Sequence, residues 1–252
     1  MLILLESWGI GTDESMRNAL IAPYAQPELL ARYQVLQGTA PFYGTTVAGE
    51  SRELCNSRMG FAIAHASAAK LQSCLPDRLA ALGYHSISAH GMDGRVFERS
   101  LWYKTIGFQE SLFRDQFRQQ GLPDCVGAFK GTCDAAIAAW IGNRLSSKNA
   151  TPDFVYWVTL NSHLPAPIPS GLSEGASCAL TSALTQNPDL CSWYQLVANV
   201  HVSVARLAMA NLARPTIFVI VGDHAPPFVN PALRSQFSGT DVPYVVLLPR
   251  QK

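Results

Sequence analysis

The sequence predicts an α/β protein with a largely parallel sheet, on two observations. Short apolar runs alternate with longer amphipathic segments, the pattern of strands joined by helical crossovers. Three of those runs also end in polar residues of the kind that hold ligands. They are Glu6 after 2–5, Asn161-Ser162-His163 after 154–160, and Gly222-Asp223-His224 after 216–221. In open α/β sheets ligands bind just beyond the carboxyl ends of strands, so three such ends can converge on one site.

Taken in order, Leu2–Leu5 is a buried strand, and 13–33 is helical with a break before Pro27. Val35-Leu36 starts another short strand. Gly44-Thr45-Thr46 forms a turn ahead of a helix over 48–58. Pro76 opens a helix that stops at Gly83, because proline suits a first helical turn and glycine suits a stop. His85–Ser88 alternates like a strand and leads to His90-Gly91. Residues 96–106 and 109–120 read as two short helices split by Gly107, and 123–147 as a further helical stretch. The β-branched and aromatic run Phe154–Leu160 is a strand, followed by a Pro/Ser/Gly-rich loop over 164–176. A long helix covers 188–212, with strands at Thr216–Val221 and Tyr244–Leu248. No repeat or linker divides the chain, so a single domain over 1–252 is expected.

Composition narrows the class. The chain is 48% hydrophobic and 15% charged, which supplies a sizeable core and excludes disorder. Its 19 Lys+Arg against 18 Asp+Glu leave a formal charge of +1, so no basic face recruits nucleic acid. No run approaches the roughly 18–20 apolar residues of a membrane-spanning helix. Met1 leads directly into a core strand without a basic leader or cleavage site, so the chain reads as a domain excised from downstream of a targeting or anchoring segment. The six cysteines fall into three local couples without zinc-site spacing. Local pairing favours Cys125–Cys133 and Cys178–Cys191, then Cys55–Cys74, and implies an oxidising compartment; the alternative is buried free thiols.

Taken singly, the polar strand ends have plainer readings. Asp223-His224 also suits a turn or helix cap, Glu6 a surface carboxylate and His163 a loop histidine. Their order along the chain says more. The segments are Glu6-Ser7-Trp8-Gly9, Gly44-Thr45-Thr46-Val47-Ala48-Gly49-Glu50, and His90-Gly91 with Phe97-Glu98-Arg99 and Tyr103-Lys104-x-x-Gly107-Phe108. Ser162-His163-x-Pro165 and Gly222-Asp223-His224 follow. This series resembles the alkaline phosphatase/sulfatase superfamily, and more narrowly its lipoteichoic acid synthase-like phosphoglycerol transferase branch.

The resemblance implies an alkaline phosphatase-like three-layer sandwich, with a mostly parallel central sheet flanked by helices. It also implies one divalent metal ion, Mn or Zn, held by Glu6, Thr46, Asp223 and His224, with Thr46 as the nucleophile. A threonine hydroxyl holds its proton tightly at neutral pH, and a divalent cation lowers that pKa. Two carboxylates and an imidazole suit Mn or Zn rather than a thiolate-seeking metal. Thr46 stands four residues before Glu50, the family's spacing, whereas Thr45 does not. His90, Arg99 and His163 match residues that grip the phosphate or protonate the leaving group, and Phe97 joins them in the substrate site. A guanidinium binds phosphate through fork-shaped, charge-assisted hydrogen bonds, while a histidine near neutrality can donate or accept a proton. A solvated Arg99 pairing with Glu98 or Glu110 is the plainer alternative.

Phe97 replaces the tryptophan of the lipoteichoic acid enzymes. No histidine follows His224, which implies one metal site and departs from typical phosphoethanolamine transferases. The Cys/Ser-x-Pro-x-Arg motif of formylglycine sulfatases is read as absent, which argues against an enzyme of that kind. The leading functional reading is a two-step transferase outside the cytoplasm, periplasmic or on the outer face of the inner membrane. It takes phosphoglycerol from a phospholipid headgroup onto Thr46 and passes it to a glycan or lipid acceptor, anchored by a segment upstream. Phosphoethanolamine transfer and phosphodiester hydrolysis on the same scaffold are the alternatives. A binding domain that has lost activity comes last, because the set Glu6, Thr46, Asp223 and His224 is complete.

Overall fold

The computed structural model describes residues 1–71, 73–165 and 176–250. Most of the loop predicted over 164–176 lies outside the described residues. Seven strands form the main sheet: β1 (Leu2–Leu5), β2 (Tyr33–Pro41), β3 (His85–His90), β4 (Glu110–Leu112), β7 (Asp153–Val158), β8 (Phe218–Gly222) and β9 (Asp241–Pro249). A separate two-stranded hairpin holds β5 (Asp124–Cys125) and β6 (Gly131–Thr132). The spatial order is β2-β9-β8-β1-β7-β3-β4. Strands β8, β1, β7, β3 and β4 run parallel, and β9 alone runs against its neighbours β8 and β2.

Alternation along each strand divides the apolar side chains between two cores. Ile3, Leu5, Val155, Trp157 and Ile220 face one layer, packed by helices Glu14–Ile21, Asp134–Ser146 and Pro188–Met209. Leu2, Leu4, Phe154, Tyr156 and Val158 face the other, covered by helices Thr46–Cys55 and Arg99–Thr105. Burial on both faces is why the central strands read as continuous apolar runs. The protein is therefore a three-layer sandwich, as the sequence predicts.

Several local expectations are corrected. The helix predicted over 109–120 begins as strand β4 and becomes helical only at Arg114–Gln119. Its three residues are an edge strand, too short to show alternation. The stretch 123–147 holds the β5–β6 hairpin before its helix starts at Asp134, and a disulfide joins the flanks of that hairpin. Strand β2 runs for nine residues where only a short strand starting at Val35-Leu36 is expected, since it is an edge strand with mixed polarity, paired along its length with β9. The helix predicted from 48 begins at Thr46, because Thr45 caps it. Helix Ser182–Gln186 has no counterpart in the sequence reading.

All six cysteines are paired, as Cys55–Cys74, Cys125–Cys133 and Cys178–Cys191. The first ties the last turn of helix Thr46–Cys55 to the residue preceding helix Leu75–Ala81. Replacing Cys55 and Cys74 by alanine is expected to lower unfolding stability by about 2–4 kcal/mol, chiefly through a less constrained unfolded chain. Urea titration of wild type and variant measures this, and equal midpoints would contradict it. Among the described residues no helix is long and apolar enough to cross a membrane.

Candidate metal and nucleophile site

Strands β1 and β8 are adjacent and parallel, with Leu5 opposite Gly222, so the residues that follow them emerge side by side. Gly222 is required by this approach, since a Cβ there would lie 2.0 Å from the Trp8 carbonyl oxygen. The turn after β1 is held from every side. The Glu6 amide donates to Thr159 Oγ1 at 2.9 Å, Ser162 Oγ donates to the Glu6 carbonyl at 2.6 Å, and Trp193 Nε1 donates to the Ser7 carbonyl at 2.8 Å. Ser7 sits at φ 60°, a strained left-handed conformation for a non-glycine residue. That conformation lets its amide reach Asp223 Oδ1 at 2.7 Å while its hydroxyl donates to Glu6 Oε1 at 2.9 Å.

Helix Thr46–Cys55 supplies the third element. Thr45 is its N-cap and accepts from the Ala48 amide, which separates the two threonines by role. The Thr46 hydroxyl instead donates to Glu6 Oε2 at 2.9 Å and lies 3.4 Å from His224 Nε2. The helix comes so close to β8 that a Cβ on Gly49 would stand 3.1 Å from the Asp223 Cβ. Arg52 fastens the contact, donating to the Gly222 carbonyl at 2.7 Å and the Pro41 carbonyl at 2.9 Å. Thr46, His224, Glu6 and Asp223 are all buried, with Asp223 the most deeply enclosed.

The spacing of these side chains suits a cation. Ligand atoms of Glu6, Asp223 and His224 lie within 4.8 Å of one another. Asp223 Oδ1 accepts from the Ser7 and His224 amides, while Oδ2 is buried with no hydrogen-bond partner among the described residues. His224 Nδ1 donates to the Ala225 carbonyl at 2.8 Å, so in the neutral ring the lone pair sits on Nε2. Nε2 lies 3.2 Å from Asp223 Oδ2 and 3.4 Å from Glu6 Oε1. A lone pair facing two carboxylate oxygens is repulsive unless a cation or proton stands between them. Burial and then the Glu6 charge push the Asp223 carboxyl above its ordinary pKa. Burial lowers the His224 pKa, and the Asp223 and Glu6 carboxylates outweigh it, so the imidazole ends above its ordinary value. The orphaned Oδ2, the oriented imidazole and the threonine hydroxyl fit a divalent metal.

Arg99 is buried and pairs with Glu50, not with Glu98 or Glu110 as the plainer sequence reading had it. Its guanidinium carbon lies 5.0 Å from the Phe97 ring centroid, and Phe97 is partly exposed. His90 donates from Nδ1 to the Val158 carbonyl at 3.0 Å. Burial, with Arg99 nearby, pulls its pKa down to about 3, so at neutral pH His90 is an uncharged acceptor through Nε2. His163 is not part of the metal cluster. Its ring packs edge-on against Phe129, with Nδ1 2.6 Å from the Leu164 carbonyl.

Two supports escaped the sequence reading. Asp134, the first residue of its helix, accepts from the Leu160 and Asn161 amides and holds the turn after β7; burial raises its carboxyl to about 7. An acid at a helix start is too ordinary to stand out. His201 packs edge-on against Trp8 and bonds Tyr24 through Nδ1 at 2.9 Å. Burial lowers its pKa from 6.5 to about 3, so folded protein binds fewer protons than unfolded protein within that window. Its contribution to stability therefore falls as pH drops from 6.5 toward 3. The stability of wild type minus that of His201→Asn is expected to grow from pH 4 to 6.5, by up to about 1.4 kcal/mol per unit. Denaturant titration across that range measures it, and a flat difference would contradict it.

One expectation from sequence was wrong. Cys74-Leu75-Pro76-Asp77-Arg78 does spell Cys-x-Pro-x-Arg. Cys74 is nevertheless bonded to Cys55, buried, and placed before helix Leu75–Ala81 instead of beside Glu6 and Asp223. The spelling thus lies away from the cluster of Glu6, Asp223 and His224. A cavity of about 740 Å³ opens at the opposite ends of the strands among Leu2, Phe154 and Val219, and it is lined by none of the site residues.

Fold and site together define a three-layer α/β protein with a threonine hydroxyl beside a cluster of Glu6, Asp223 and His224 beyond adjacent parallel strands. The sequence profile of the sulfatase family matches residues 2–252, and the chain belongs to that family. Among solved structures it is similar to the lipoteichoic acid synthase LtaP from Listeria monocytogenes, with 14% identity, TM-score 0.71, and 98% of this chain and 64% of that one covered. It is also similar to the phosphoglycerol transferase GacH from Streptococcus pyogenes in complex with sn-glycerol-1-phosphate, at 17% identity and TM-score 0.63, covering 98% and 67%. The C-terminal periplasmic domain of EcEptC from Escherichia coli in complex with Zn is similar at 12% identity and TM-score 0.60, covering 100% and 72%. These likenesses show the shared fold. The chain thus spans 64% of the length of LtaP. No curated protein matches it in sequence.

Proposed function

We propose that the chain is the catalytic part of a metal-dependent phosphotransferase that moves phosphoglycerol from a phospholipid headgroup to an envelope glycan or lipid. The observation that carries the reading is the buried Thr46 hydroxyl, 2.9 Å from Glu6 Oε2 and 3.4 Å from His224 Nε2, beside the unpartnered Asp223 Oδ2. Glu6, Thr46, Asp223 and His224 would hold a Mn or Zn ion. When bound, such an ion lowers the hydroxyl pKa and stabilises charge on the transferring group.

The remaining chemistry belongs to the chain. Thr46 Oγ attacks phosphorus, giving its proton toward Glu6, as the bond from phosphorus to the diacylglycerol oxygen breaks and that oxygen takes up a proton. The acceptor's hydroxyl oxygen then attacks the same phosphorus, breaks the Thr46 Oγ–P bond and loses its proton, and Thr46 recovers one. First-turn amides of helix Thr46–Cys55 add positive potential for the phosphate. Arg99 and Phe97 contact the headgroup, and His163 assists the leaving oxygen. His90, uncharged, accepts a hydrogen bond from a substrate hydroxyl. The three disulfides support a site of action outside the cytoplasm, and a lipid donor calls for membrane anchoring in the full protein.

Release of diacylglycerol from vesicles of phosphatidylglycerol, by Mn- or Zn-loaded protein, tests the donor. Release from phosphatidylglycerol but not from phosphatidylethanolamine supports the reading. Release only from phosphatidylethanolamine would move it to phosphoethanolamine transfer.

A further inference from the structure

We propose that Glu50 is the positioning residue for Arg99, a buried carboxylate that fixes the guanidinium so that one nitrogen stays free for the phosphoryl group. The inference rests on the reading of Arg99 as a phosphate contact. Glu50 follows Thr46 by one turn of the same helix, so the two side chains share a face. Both are thereby set by one rigid element.

Glu50 is 0% exposed and Arg99 1%. Arg99 Nε donates to Glu50 Oε1 and Oε2 at 3.1 Å each, and Nη2 donates to Oε2 at 2.9 Å. The hydroxyl of Tyr103, also buried, donates to Oε1 and holds the carboxylate from its other side. The Phe97 ring lies against the guanidinium. One edge of the guanidinium is therefore clamped. The remaining nitrogen, Nη1, is buried and has no hydrogen-bond partner among the described residues.

A pair that served stability alone would be expected to satisfy every buried donor, because an unmet one is costly. Leaving Nη1 out points to a ligand oxygen as its partner, supplied when substrate binds. The backbone gives an independent sign. Phe97 and Glu98 both adopt φ 56° immediately before Arg99. Two successive non-glycine residues in the left-handed region are strained, and such strain is characteristically held where a side chain must be presented in one orientation.

The test is a double-mutant cycle read by calorimetric binding of inorganic phosphate to the metal-loaded protein. Wild type, Glu50→Gln, Arg99→Lys and the double variant are compared, with thermal melting as the check on folding. Loss of the charged anchor is expected to weaken phosphate binding about 10- to 100-fold in Glu50→Gln. In the Arg99→Lys background the same change is expected to alter binding by less than about 2-fold, since coupled residues are non-additive. A merely structural role would give equal losses in both backgrounds and would overturn the proposal. Should Glu50→Gln fail to fold, Tyr103→Phe enters the same cycle, with an expected loss of about 3- to 10-fold that vanishes beside Arg99→Lys. Wild-type affinity in a folded Glu50→Gln or Tyr103→Phe protein, with Arg99→Lys impaired, would sink Glu50's role alone. Undiminished affinity in Arg99→Lys would sink the reading of Arg99 and this inference with it.

Discussion

Thr46→Ala is expected to abolish transfer, with kcat falling by about 10³-fold or more, while the protein keeps its fold. The side chain is the first of its helix, and the cap comes from Thr45, so alanine at 46 removes neither the capping bond nor the helix start. Alanine is also a good helix former. What disappears is the hydroxyl that donates to Glu6 Oε2. Thr45→Ala makes the control. It is expected to cost about 1 kcal/mol of stability through the lost cap and to retain most turnover. Steady-state diacylglycerol release by both variants decides the matter. Substantial activity in Thr46→Ala would mean that water or another group attacks the phosphorus.

Asp223→Asn is expected to weaken metal binding by at least about 100-fold, since even outer partners of metal ligands cost 10- to 100-fold when lost. Asparagine can still accept the Ser7 and His224 amides through its oxygen, so the turn after β8 survives. The atom that changes is Oδ2, the buried oxygen without a partner. Metal-free, the variant is expected to melt no lower than metal-free wild type. Burial and the Glu6 charge both disfavour ionised Asp223 there, so neutralising it relieves repulsion. Added Mn or Zn is then expected to raise the melting temperature of wild type but not of the variant. Calorimetric metal titration with parallel melting curves measures both effects, and equal affinity in the two proteins would contradict this assignment of the ligands.

The parts of this fold legible in sequence were those with the strongest local signal. Strands β1, β7 and β8 are buried on both faces and read as unbroken apolar runs. The polar residues that end β1 and β8 became neighbours because those strands pair in parallel register, which the family resemblance implied and composition alone did not. Strand β4 and the β5–β6 hairpin were missed because runs of three and two residues carry no period. The Glu50–Arg99 contact spans 49 residues and joins two helices, so nothing local announces it. In the sequence Glu50 was only a spacing marker for Thr46. The Cys74–Arg78 spelling shows the reverse case, a local signal that tertiary placement cancels.

Intact mass spectrometry of the metal-loaded protein after incubation with phosphatidylglycerol tests the central claim most directly. The account predicts a glycerol-phosphate adduct on wild type, mapped to Thr46 and absent from Thr46→Ala. An adduct on another residue, or turnover in wild type with no adduct trapped even on rapid quenching, would contradict it.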